Sequence, residues 1–99
     1  MNEKSNIICH RQYDISSGEK FDVYIWNPSP EEDIFICKFC INSPHERIES
    51  HSYGVDSMQA LIEALRIVFF EIYNSTYHKN GQLSWLGSSD ELGIFKKIE

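Results

Sequence analysis

Along the first half of the chain apolar and polar positions alternate, whereas along the second half apolar residues recur every three or four positions. Alternation is the period of a half-buried strand and the longer spacing that of an amphipathic helix, so strands precede a helix. The runs 9–15, 21–26, 34–41 and 47–53 read as strands. Phe21, Val23 and Ile25 share one face of the second run, with Asp22, Tyr24 and Trp26 on the other. In the third, Phe35, Cys37, Phe39 and Ile41 lie opposite Ile34, Ile36, Lys38 and Cys40. Short turn sequences separate the runs: Ser16-Ser17-Gly18, Asn27-Pro28-Ser29-Pro30 and Asn42-Ser43-Pro44. A parallel crossover needs a dozen or more residues, so the connections imply an antiparallel meander.

The helix begins at Asp56, whose side chain can cap free backbone amides, with Gln59 placed for a capping box. Met58, Leu61, Leu65, Phe69 and Ile72 form an apolar stripe that Ile62 widens. The pattern runs to about Tyr77, and Asn80-Gly81 suits a stop. Beyond it, Leu83-Ser84-Trp85-Leu86-Gly87 and Leu92-Gly93-Ile94-Phe95 are apolar clusters too short for another helix. The expected architecture is α+β: a four-stranded antiparallel β-meander over about 7–53, one long α-helix over about 56–77, and an irregular C-terminal wrap over 82–97. At 99 residues this is a single domain spanning the chain.

Charge narrows the function. Nine Lys and Arg against fifteen Asp and Glu give a net charge of −6 with His neutral, which argues against a nucleic-acid partner. No apolar run marks a signal peptide at the N-terminus, and Glu63, Arg66 and Glu71 interrupt the helix, so no membrane partner is expected. Three cysteines, Cys9, Cys37 and Cys40, are an odd count that suits a reducing cytoplasm better than a disulfide framework.

Candidate chemistry is sparse. Cys37-Lys38-Phe39-Cys40 has C-x-x-C spacing, but inside a strand positions three apart point to opposite faces, so the thiols diverge and read as packing residues. Zinc held by Cys9, His10 and one of those thiols is the competing reading; no metal or other cofactor is expected. His51 beside Glu49 offers a general base with a carboxylate, but no nucleophile motif or phosphate-cradling glycine loop accompanies it, and no catalytic residue is assigned. His45 and His78 sit among polar residues and read as solvated.

Two apolar surpluses and one acidic run carry more weight. With the helix on the face of Phe21, Val23 and Ile25, the other face presents Tyr24, Trp26, Ile34 and Ile36, either covered by the Trp85 and Phe95 segments or open as an interface. On the helix, Ile67 and Phe70 fall outside the main stripe and suit a dimer or partner contact. Glu31, Glu32 and Asp33 form an acidic run that either solvates a loop or steers a basic partner.

The run Tyr53-Gly54-Val55-Asp56-Ser57-Met58-Gln59-Ala60-Leu61, with Ala64-Leu65, and the tail Leu83-Ser84-Trp85-Leu86-Gly87 with Asp90, Leu92 and Gly93, resemble a family of small uncharacterised bacterial proteins, a domain of unknown function. The resemblance covers the last half of the chain and implies a fold: Gly54 permits a turn, Asp56 caps, and Ala60, Leu61 and Leu65 pack. It implies no catalytic residues. By analogy of size, charge and class alone, the chain is also similar to immunity proteins, which neutralise a cognate toxin. The expectation is a non-enzymatic protein-binding protein whose partner is a basic toxin domain, using Glu31, Glu32 and Asp33 for steering and Tyr24 and Trp26 as anchors. The alternative is a self-associating structural or regulatory module, a homodimer through the outer sheet face or through Ile67 and Phe70.

Overall fold

In the computed structural model, which describes residues 6–94, the alternating half of the chain forms one antiparallel sheet. Its strands are β1 (Ile7–Ile15), β2 (Lys20–Trp26), β3 (Ser29–Glu31), β4 (Ile34–Ser43), β5 (Glu46–Gly54) and β6 (Leu83–Ser84). Two helices, α1 (Ser57–Tyr73) and α2 (Thr76–Lys79), come between β5 and β6 in the chain. The α+β class and the antiparallel connections are as the pattern requires, but the sheet has six strands rather than four. Both additions are too short to show alternation. Ser29–Glu31 pairs with Ile34, Phe35 and Ile36, and Leu83–Ser84 pairs with Asp14 and Ile15. Pro30 is tolerated in β3 because, among the described residues, that strand has β4 as its sole ladder neighbour, so a missing N–H need not break a bond.

One edge of β4 is shared by β2, at Phe39–Asn42, and β3, at Ile34–Ile36, while β5 pairs along the opposite edge from Phe35 to Ser43. Beyond β5 there is no further strand among the described residues. The inner face of the sheet carries Tyr13, Ile15, Phe21, Val23, Ile25, Cys37, Phe39 and Ile41, all buried. Helix α1 packs on that face over β4 and β5.

Asp56 caps α1 as expected: its carboxylate accepts from the Gln59 amide at 2.7 Å, and the Gln59 side chain reaches back to accept from the Val55 amide at 2.7 Å. The core-facing line is different from the predicted one. Ala60, Ala64, Val68 and Ile72 are buried, with Leu61, Leu65 and Phe69 packed beside them, while Met58 and Ile62 are exposed. Two alanines let the helix backbone come close to the sheet, so the buried ridge follows the small side chains and the bulky ones fill its flank. The helix also ends earlier than Tyr77. Asn74 closes α1, and the Ser75 hydroxyl accepts from the His78 amide at 3.2 Å to start α2. Gly54 belongs to β5 rather than to a turn.

The segment after β6 crosses the inner side of the sheet. Trp85 and Ser88 close a two-residue hairpin on each other's backbone, and Leu92 is buried. The Arg11 guanidinium stacks on Trp85 at 4.1 Å and donates to the Leu92 and Gly93 carbonyls at 3.2 and 2.8 Å. The Tyr13 and Tyr73 hydroxyls donate to the Leu92 and Ile94 carbonyls at 2.9 and 3.2 Å. Arg11 and Tyr13 belong to the core side of β1, so Trp85 does not cover the outer face; Phe95 lies outside the described residues.

Candidate functional site

Cross-strand register arranges the outer face in rows. Gln12, Asp22, Asn42 and Arg47 form one; His10, Tyr24, Cys40 and Glu49 the next; Lys38 and His51 another; and Ile36 and Tyr53 a further one. Trp26 follows Tyr24 on the same side of β2, their rings tilted with centroids 6.4 Å apart. Both helices lie on the other face, and among the described residues no element packs over these rows. Tyr24, Trp26, Ile34 and Ile36 are half-buried by their own neighbours, not a wholly exposed apolar sheet. His10 stacks on Tyr24 with centroids 4.4 Å apart, which hides one ring face.

Polar pairs on this surface were not legible as pairs in the sequence. His10 Nε2 lies 2.8 Å from Asp22 Oδ1, which also accepts from the Gln12 amide at 3.1 Å. Only the β1–β2 register brings those residues together; the detectable signal was a hairpin with polar residues on its outward positions. Glu49 is held by Arg47, and His51 Nε2 sits 2.9 Å from the Tyr53 hydroxyl. The His51–Glu49 pair that acid–base chemistry would use is therefore replaced by two other pairings. A shallow depression of about 240 Å³ lies among Trp26, Lys38, Cys40, Arg47, Glu49 and His51.

The cysteines diverge as strand geometry demands. Cys37 is buried in the core, where its thiol donates to the Trp26 carbonyl at 3.4 Å, and Cys40 is buried at the base of the outer face. Burial pushes both thiols above their ordinary pKa, so neither is primed as a thiolate. Cys9 is exposed on β1. No cluster of three or more His, Cys, Asp and Glu suited to a metal ion occurs among the described residues. No described helix is long and apolar enough to cross a membrane.

The predicted contact residues fall into two groups. Tyr24 and Trp26 share the outer face with the acidic turn, where Glu31, at the end of β3, pairs with Ile34 and Glu32 and Asp33 close the hairpin, all three acids being exposed. Glu32 has φ of 56°, in the left-handed region. Ile67 and Phe70, 37% and 63% exposed, are on α1 and so on the opposite side of the sheet. They cannot act with Tyr24 and Trp26 in one contact.

The residues quoted for the family resemblance turn out to be architectural. The Ala60 carbonyl accepts from Ser52 at 2.6 Å, Gly54 admits the helix backbone, Asp56 caps it, and Trp85 and Gly93 form the tail hold with Arg11. A family model described as Domain of unknown function (DUF6968) matches residues 9–95. The chain belongs to the DUF6968 family. The match takes in the strands as well as the helix and tail, so the whole described DUF6968 sheet, outer face included, lies almost entirely within the family's span. No curated protein and no solved structure matches this DUF6968 chain.

Proposed function

We propose that this domain is a non-enzymatic binding protein that docks a protein partner on the outer face of its sheet. The observation that carries the reading is that face itself: Tyr24, His10, His51 and Tyr53 stand on rigid antiparallel strands with no described layer over them. Aromatic side chains on a fixed frame offer large contact area at low entropic cost, the usual make-up of binding anchors. The acidic turn of Glu31, Glu32 and Asp33 ends the same sheet and, with a net charge of −6, favours a basic partner.

The finer form of this reading is an immunity protein that neutralises a cognate bacterial toxin; its support is the acidic charge and the small α+β class. A cytoplasmic location goes with it, supported by three cysteines that are all free thiols.

The test begins with affinity purification of tagged protein from the organism that carries the sequence, and then measures binding kinetics with the recovered partner. Joint reversal of Glu31, Glu32 and Asp33 to Lys is expected to slow association about tenfold at low salt with folding intact. Tyr24→Ala is expected to speed dissociation about tenfold or more. Absence of a stoichiometric partner, or kinetics that neither change alters, rejects the reading.

A further inference from the structure

Strand β5 is nine residues long and, among the described residues, pairs on one side alone, with β4. Edge strands are ordinarily shielded by proline, a bulge, charged side chains or a covering element, because their free N–H and C=O groups template another strand; of these β5 has only the charges of Glu46, Arg47 and Glu49. Glu46–Gly54 contains no proline, and its register with β4 runs without a break from Ser43↔Glu46 to Phe35↔Gly54. The shielded places lie elsewhere: Pro30 is in β3, the register break is in β1 between Ile7 and Cys9, and β6 caps one end of β1.

Above this edge runs the flank of α1 that bears Ile67 and Phe70. Leu65 and Phe69 line a groove with β1 and β2 on one side of the helix, whereas Glu71 and Asn74 line a second hollow with Glu46 and Ile48 on the other. At 100° per residue Ile67 and Phe70 fall on the Glu71 side, toward β5. The N-terminal end of α1 is fixed over Ser52 and Gly54 through Ala60, and its C-terminal end lies near Ile48 and Glu46. Ile67, midway along, is therefore level with Ser50.

We infer that β5 is a homodimerisation edge, pairing antiparallel with β5 of a second copy about a two-fold axis at Ser50. This axis alone overlaps all nine residues of the strand. It sets Glu49 opposite the second copy's His51 and Arg47 opposite its Tyr53, with Ser50 facing Ser50, so no like charges face each other along the strand pair. Moving the axis one residue to Glu49 places Glu49 against Glu49 and Arg47 against His51. An axis at Ile48 pairs Arg47 with Glu49 but shortens the overlap to residues 46–50. Strands ~4.8 Å apart and a helix seated over β4 and β5 put the two copies of α1 about 10 Å from one another, ordinary helix-packing distance. Ile67 then packs against its counterpart across the axis, with Phe70 flanking that contact about 4.5 Å further along the helix. The surface is self-complementary, as a closed two-fold interface requires, and the two outer faces become one continuous sheet.

The inference is independent of a heterologous partner, and its test uses the full chain alone. Sedimentation from low-micromolar to near-millimolar concentration is expected to show a monomer–dimer equilibrium. Ile67→Glu with Phe70→Glu is expected to weaken it at least about tenfold, both sites being solvent-accessible. Ser50→Cys in a Cys9→Ser background is expected to form a covalent dimer on mild oxidation, because facing residues across an antiparallel pair lie within disulfide reach. The cross-link gives a positive readout even if the charged double variant fails to fold. A chain that stays monomeric throughout overturns the inference. So does a dimer that ignores the helix substitutions or leaves the Ser50→Cys thiols unlinked.

Discussion

Gly54 shows how much one hydrogen in place of a methyl group can decide. A Cβ there would sit 2.3 Å from the Ala60 backbone nitrogen, so α1 could not keep its seat on β5. Gly54→Ala is expected to destabilise the fold by ~1–3 kcal/mol, read as a lower urea midpoint with an unchanged slope. Arg11 is a second such residue, since its planar guanidinium stacks on Trp85 while binding two carbonyls of the tail. Lysine keeps the charge and loses both geometries, so Arg11→Lys is expected to cost ~1–2 kcal/mol and to speed amide exchange around Leu92 and Gly93. Burial also raises Cys37 and Cys40 above the ordinary 9.0 and Tyr13 and Tyr73 above 10.0. The folded form then holds protons that the unfolded chain releases first, so the unfolded state binds fewer protons as pH rises and stability falls. Chemical denaturation at stepped pH is expected to show stability level with respect to these groups below about pH 8 and declining through pH 9–11.

Among the elements, start signals were readable and interruptions were not. Asp56 and Gln59 announce α1 because capping is local chemistry between residues three apart. The break at Asn74-Ser75-Thr76 carried a signal too, three residues that favour caps, but the apolar spacing through Tyr77 hid it. The tail hairpin holds a tension of its own. Leu86 and Gly87 lie between Trp85 and Ser88 with φ of 53° and 84°, and Leu86 is 82% exposed. Left-handed backbone suits asparagine before glycine in a two-residue hairpin and disfavours leucine. Leu86→Asn is expected to raise stability by ~1 kcal/mol, seen as a higher Tm.

At the scale of the molecule, the sheet holds together two layers with different roles. The inner layer closes on a C-terminal segment whose Leu92 fills the core while its carbonyl accepts from Arg11 and Tyr13. Leu92→Ala is expected to cost ~2–5 kcal/mol by thermal or urea unfolding, since the cavity would open at a site locked by those bonds. The outer layer carries the proposed docking surface and the β5 edge lies beside it, so both proposed contacts would share one sheet.

What the sequence by itself determined follows from periodicity and local chemistry: the α+β class, the antiparallel order, the two faces of β2 and β4, the divergence of Cys37 from Cys40, and the capped start of the helix. Those depend on residues a few positions apart, where backbone geometry leaves little choice. Only the tertiary structure decided the pairing of β3 and β6, the alanine ridge of α1, the His10–Asp22 pair, the tail hold around Arg11, and the exposure of Ile67 and Phe70 on α1. Each of these joins residues distant in the chain through register or packing. Alternation marks which face a residue occupies, while the neighbour it meets there is set by strands and helices docking together.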